Sequence, residues 1–211
     1  MVVGELEQFK VFTKQREYVG IASREEIHQK GYWHETFHFW LVAEIDGENY
    51  LYFQLRSEDK KDYPGLLDIT AAGHLLHNEN VEDGIREVKE EIGLNVAIEE
   101  LIYLGAFPYE KVLEDFIDKE HAHVLLLKRE IPLQEFTLQQ EEVSGMYLVP
   151  IDGFMDLWFK DYQDTILIEG LFENKDGKRE ASKCKVNKAN FVPHSDGFYR
   201  DVLNAIINKI S

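Results

Sequence analysis

The chain has 211 residues, of which 44% are apolar and 12% aromatic, enough for one sizeable core and too much for a disordered chain. Asp and Glu number 40 against 23 Lys and Arg, and the net charge of −17 excludes a non-specific nucleic-acid or anionic-membrane binder, which needs a basic face. A lone cysteine, Cys184, excludes an internal disulfide framework and a Cys-rich zinc site, and with no secretory leader pattern or bilayer-length apolar run the expectation is a cytoplasmic protein without a membrane partner.

In chain order, residues 9–13 and 18–22 read as short strands around a KQRE turn, and 24–30 as a helical turn. An aromatic-rich strand over 34–44, the turn Asp46-Gly47 and a strand over 49–56 predict a hairpin. Residues 57–65 form a loop, marked by charges and Pro64-Gly65. A helix is predicted over 79–92, ended by Gly93. Strands follow near 100–107 and 121–129, then a short helix over 150–160. Beyond residue 163, strands over 165–173 and 181–192 flank Asp176-Gly177, and Ser195 or Asp196 starts a last helix with Phe198, Val202, Ile206 and Ile210 on one face. The mixture predicts an α/β chain, more narrowly α+β or a layered αβα sandwich. Residues 1–162 are expected as one domain, with 163–211 an extension packed on it that either caps the site or builds a homodimer interface.

The chemistry concentrates on the helix before Gly93. At about 100° per residue, Glu87, Glu90 and Glu91 share one face, while Val81, Ile85, Val88 and Ile92 form a separate apolar stripe. Like charges at i,i+4 cost a helix a few tenths of a kcal/mol. A hard divalent cation reverses that cost, because Mg²⁺ and Mn²⁺ prefer carboxylate oxygens. Arg86 can orient a carboxylate through a two-point pair. The pattern alone leaves two readings open, a solvated acidic helix and a metal site.

Gly73, Glu79, Arg86, Glu87, Val88, Glu90, Glu91, Gly93 and Leu94 supply every defined residue of the pattern G-x5-E-x7-R-E-U-x-E-E-x-G-U, with U apolar. The stretch thereby resembles the Nudix box. One departure is a gap of six rather than seven residues between Glu79 and Arg86, which leaves the three helix carboxylates in register and the geometry of Glu79 open. The resemblance implies a Nudix αβα sandwich with a mixed sheet, and a pyrophosphohydrolase that cuts a small-molecule diphosphate linked to an organic moiety X. Glu87, Glu90, Glu91 and the Gly73 carbonyl are then candidate ligands of Mg²⁺ (or Mn²⁺), with Arg86 among the catalytic residues. The general base of such enzymes often lies outside the box; Glu142 and Glu120 are candidates, each with the plainer alternative of a solvated carboxylate.

Residues 18 to 150 also resemble the isopentenyl diphosphate isomerases that share this fold, through His34-x-x-Phe37-x-x-Trp40, Lys60-Lys61-x-Tyr63-Pro64-Gly65 and Ala72-Gly73-His74. By that resemblance His28, His34 and His74 match metal-binding histidines, and Arg56 and Lys60 match diphosphate-binding residues. The isomerase acid/base pair is not matched. Ala72 stands at its cysteine, and counting back from Glu142 puts its glutamate near His123. A hydrolase is therefore expected, with an isomerase-like enzyme and a non-catalytic ligand-binding module as alternatives. His34, His74 and His123 are candidates for a second metal site, or else polar groups lining a cleft; His194 reads as tail packing. Trp33, Trp40, Tyr63 and Phe107 are candidates to stack on X, or core and rim packing.

Overall fold

A computed structural model describes residues 7–112, 116–160 and 164–210. Strands β1 (Gln8–Phe12) and β2 (Tyr18–Ser23) pair antiparallel and lead into helix α1 (Arg24–Lys30). The predicted hairpin forms from β3 (Trp33–Ile45) and β4 (Glu48–Arg56). Its two-residue turn places Asp46 at φ 52° and Gly47 at φ 83°, the left-handed pair that matches the twist of the flanking strands. Two short strands, β5 (Leu67–Asp68) and β6 (Ala71–His74), precede helix α2 (Arg86–Ile92). Then come β7 (Ile102–Val112), β8 (Ile117–Lys128), β9 (Val143–Pro150), helix α3 (Ile151–Phe159), β10 (Ile166–Glu173), β11 (Arg179–Val186) and helix α4 (Asp196–Ile210).

The long strand β3 organises the α+β fold. Its outer flank carries β8 in parallel from Trp33 beside Lys119 to Val42 beside Lys128, and β7 closes that edge. Its inner flank is shared by β6, through Thr36–Phe39, and by β4, through Val42–Ile45. Beyond β4 the antiparallel order is β9, β10, β11. Strand β3 is covered on both faces, which explains its nearly unbroken apolar run. Trp40 and Val42 join Val124 and Leu126 under α3 and α4. Phe37, Phe39, Leu41 and Ala43 meet Val88 and Ile92 of α2 on the other face. The C-terminal segment belongs to the same sheet, since β10 pairs with β9, and its Phe198, Val202 and Ile206 are buried in the shared core. The boundary expected at 162/163 falls among 161–163, outside the described residues.

Strand β7 runs on to Val112 and β8 starts already at Ile117, beyond the bounds expected for them, and two further elements differ from expectation. The helix predicted over 79–92 is α-helical only from Arg86, after one 3-10 turn over Asp83–Ile85. Asn80 and Asp83 account for the delay: Glu82 N–H donates to Asn80 Oδ1 (2.8 Å) and Asn80 N–H to Asp83 Oδ2 (2.8 Å), so side chains take the turns a helix would need. The strand predicted over 181–192 stops at Val186, because the Asn187 side chain accepts from Ala189 N–H (2.9 Å) and starts a 3-10 turn. No helix among the described residues is long and apolar enough to cross a membrane.

Candidate active site

A cleft of about 420 Å³ opens where β3, β6, α2, β8 and the loop after β4 converge. Helix α2 forms one wall. Its apolar stripe is anchored by Val88 and Ile92, so Glu87, Glu90 and Glu91 turn to the cleft in graded depth, Glu90 with 55% of its side chain exposed and Glu91 with 7% of the residue. Glu91 Oε2 accepts from Gln54 Nε2 (3.1 Å) and Ala72 N–H (3.3 Å). Burial, with the charge of Glu87, pushes the Glu91 carboxyl up to about 8, and burial also raises Glu87. Glu87 lies against Gly73, where a Cβ would come within 2.1 Å of Oε1, so only glycine leaves room for this carboxylate.

Arg86 ties the wall together. It donates to Glu79 at 2.7 and 3.2 Å, to Glu87 at 2.6 Å, to Glu90 at 3.3 Å and to the His74 carbonyl at 3.3 Å. The short gap before the helix therefore does not part Glu79 from Arg86. The candidate diphosphate-binding residues Arg56 and Lys60 line the cleft too. Lys60 is ion-paired with Glu142. Arg56 donates to Asp68 Oδ2 (3.0 Å) and twice to the Asp62 carbonyl (3.1 and 2.8 Å). Glu142 and Glu120, the two candidates for general base, both line the cleft.

A second cluster lies beside this wall. Ligand atoms of His28, His34 and His74 sit within 4.8 Å of one another, and so do those of His34, Asp118 and Glu120. His34 Nδ1 donates to the Tyr32 carbonyl (3.1 Å) and His28 Nδ1 to the Arg24 carbonyl (2.9 Å), which leaves the Nε2 lone pairs of both rings to the cluster. Burial holds His34 down to about 3 and His74 well below its ordinary value, so both are neutral imidazoles. His34 Nε2, His74 Nε2 and Asp118 Oδ1 are buried without hydrogen-bond partners. Burial and the neighbouring Glu120 raise Asp118. Orphaned lone pairs facing desolvated carboxylates fit a cation with borderline ligand preference.

His123 is not in this cluster, which corrects one expectation. Residues alternate across β8, and Asp118 and Glu120 take the cleft face while His121 and His123 take the other. There His123 Nε2 meets Glu35 Oε1 (3.0 Å) and its Nδ1 the Tyr103 hydroxyl (2.8 Å). In the cleft, on the opposite face of the strand from His123, Glu120 accepts from Thr36 Oγ1 (2.9 Å) and His38 Nε2 (3.2 Å). Of the four aromatic candidates only Tyr63 lines the cleft; Trp40 is buried, Trp33 stacks on His121 and Phe107 packs on the core. His194 and Asp68 are cleft residues that the sequence did not mark, 3.1 Å apart and joined from distant segments.

No protein-family model matches the chain. A Nudix hydrolase of Clostridium acetobutylicum, itself uncharacterized, is 35% identical over 204 residues, 97% of this chain and 98% of that protein. The chain belongs to the Nudix hydrolase family. Nudix hydrolase 3 of Arabidopsis thaliana is 35% identical over 74% of the chain, a stretch that makes up 21% of that plant protein. An isopentenyl-diphosphate Delta-isomerase of Aliivibrio fischeri is 35% identical over 63% of this chain and 74% of its own. Among solved structures, a MutT/nudix family protein of Enterococcus faecalis shares the fold at TM-score 0.50 and 14% identity, over 83% of this chain and 61% of that one. In this Nudix hydrolase Gly73, Arg86 and the three box-helix carboxylates thus meet His28 and His74 in one cleft.

Proposed function

We propose that this Nudix hydrolase cuts a P–O bond in a small organic diphosphate with the help of Mg²⁺ or Mn²⁺. The observation that carries the reading is the pair Glu87 and Glu91, two carboxylates desolvated side by side, with one of them fitted against Gly73. Such a pair is costly unless a cation joins it. Glu87, Glu90, Glu91 and the Gly73 carbonyl would hold the ion. A divalent cation there supplies charge neutralisation for the diphosphate and lowers the pKa of water. Arg86 keeps Glu87 and Glu90 aimed, through its anchor on Glu79. Lys60 and Arg56 bind the diphosphate oxygens, and an anion reaching Lys60 releases Glu142 to accept the proton of the attacking water. The family relation and the cleft support this reading, and the test is turnover of nucleoside, sugar and isoprenoid diphosphates with Mg²⁺ and with Mn²⁺, products read by mass spectrometry and Glu91→Gln as the blank. Cleavage that vanishes in the blank is the expected result; cleavage that persists in it removes the box from the chemistry.

One observation favours a second reading. The cluster of His28, His34, His74, Asp118 and Glu120 fits the metal-binding histidines of the isomerases, and Glu120 returns a cleft carboxylate that the count to His123 had removed. Against isomerisation stand Ala72, whose side chain has no proton to transfer, and the hydrolytic carboxylates Glu87 and Glu90 on the box helix. A product of unchanged mass from isopentenyl diphosphate would establish the second reading.

A further inference from the structure

We propose that His194, brought into the cleft by the C-terminal segment, is a substrate-binding residue whose Nδ1 hydrogen-bonds the diphosphate; this rests on the reading of the cleft as a diphosphate site. His194 lies outside the box and beyond the isomerase-like stretch. Its placement is built from the backbone upward. Phe191 bridges Leu67 in parallel, Val192 N–H donates to the Leu67 carbonyl (2.8 Å), and His194 N–H donates back to the Val192 carbonyl (2.8 Å). The Tyr199 hydroxyl of α4 donates to that same carbonyl (3.0 Å). Residues 191–194 are thereby fixed against β5, with the imidazole opposite Asp68.

The imidazole is 9% exposed and its Nε2 lies 3.1 Å from Asp68 Oδ1. An ionised carboxylate only accepts, so Nε2 carries the hydrogen and Nδ1 is the nitrogen left over. That Nδ1 is buried without a hydrogen-bond partner, in a side chain that lines the cleft. Buried polar atoms are satisfied in the great majority of cases, so an orphan on a cleft wall marks a ligand contact. An anion is the partner that the charges favour. Asp68 gives its second oxygen to Arg56, so one buried carboxylate backs both an arginine and a histidine. Arg56 spends three N–H groups on Asp68 and the Asp62 carbonyl, leaving two of the five that a guanidinium carries. Arg86, Lys60 and Arg24 of the cleft are tied to Glu79, Glu142 and Glu7. The two free Arg56 N–H groups donate to one phosphoryl group, whose P–OH hydrogen His194 Nδ1 accepts, and Asp68 lies between the two side chains.

The test uses methylenediphosphonate, a diphosphate that cannot be hydrolysed, titrated with Mg²⁺ into the full chain by calorimetry. Gln at 194 reproduces Nε2 and keeps the Asp68 bond but lacks Nδ1; Asn reproduces Nδ1 and gives up Asp68. His194→Gln is expected to weaken binding at least tenfold, with His194→Asn intermediate, and on any diphosphate the wild type turns over His194→Gln raises KM while kcat stays within threefold. Equal affinity of His194→Gln and wild type overturns the proposal, as does an equal loss in both variants, which would make the residue structural. A wild type that does not bind the probe overturns it as well. A wild type that binds but turns over nothing removes the hydrolase reading alone, and the His194→Gln titration still decides this one.

Discussion

Replacing Glu91 with Gln is expected to stabilise the metal-free protein and disable it in the same step. Glu91 is 7% exposed, and burial together with the Glu87 charge pushes its carboxyl up to about 8, against 4.5 for an ordinary glutamate. At pH 7 the unfolded chain has released this proton and the folded chain keeps it. The unfolded state binds fewer protons, so stability falls as pH rises from 4.5 to about 8 and levels off above. At about 1.4 kcal/mol per pH unit, the stretch from 4.5 to neutrality amounts to ~3 kcal/mol. Gln has the shape of the protonated acid and no such dependence. Both donors, Gln54 Nε2 and Ala72 N–H, reach Oε2, so the amide oxygen can replace that atom and the NH₂ the other. Thermal unfolding in EDTA is therefore expected to give coincident curves near pH 4.5 and a gap of about 6–12 °C at pH 7 in favour of the variant, for a chain of this size. Turnover with Mg²⁺ should drop by about a hundredfold or more. Equal melting at pH 7, or a less stable variant, would refute the reasoning, because Glu91 would then be ionised and satisfied without a cation.

Three further outcomes are expected. Gly73→Ala puts a Cβ where Glu87 Oε1 lies 2.1 Å away, so the fold persists, Glu87 is displaced and Mg²⁺ binds about tenfold more weakly; an unchanged metal titration would remove Glu87 from the ligands. Lys60→Ala should raise KM more than it lowers kcat, whereas the reverse in steady-state kinetics would mark a transition-state contact. Burial alone would raise the Asp68 carboxyl, but His194, Arg56 and the Ile69 N–H outweigh it and hold it well below the ordinary range. A depressed carboxyl contributes stability above its unfolded value, about pH 4, and loses it as pH falls below. The excess stability of wild type over Asp68→Asn in urea titrations should shrink below about pH 4; a gap that ignores pH would show that Asp68 matters only for its shape.

What could be read from the sequence is what a local repeat dictates. Glu87, Glu90 and Glu91 share a face because the helix period makes them do so, and Asp46-Gly47 forms its turn because both positions need left-handed backbone. The family pattern added Gly73, whose role is a close approach that no periodicity reveals. The start of α2 was misjudged because Asn80 and Asp83 offer the backbone side-chain partners in place of helical ones. Strand β8 starts at Ile117 rather than near 121, so the sequence put His121-x-His123 on the strand and left Asp118 and Glu120 off it, and which face meets the cleft depends on β3 and β6. His194 had no local signal at all. Its partner Asp68 is 126 residues away, and only the bridge between Phe191 and Leu67 brings them together.

The two donor sets in the cleft differ in a way that bears on chemistry. The box set is all oxygen and graded from buried Glu91 to half-exposed Glu90. The second set is closed, with His28 and His34 held in one tautomer by backbone carbonyls and Asp118 raised by burial. An open oxygen site suits a cation that must exchange ligands with a substrate, and a closed nitrogen–oxygen site suits one that stays. On that division a cation held by the second set would organise the cleft, and the box set would carry the proposed cutting. The division also accounts for Ala72 without penalty: a hydrolase needs no proton donor there, only the backbone N–H that Ala72 gives to Glu91.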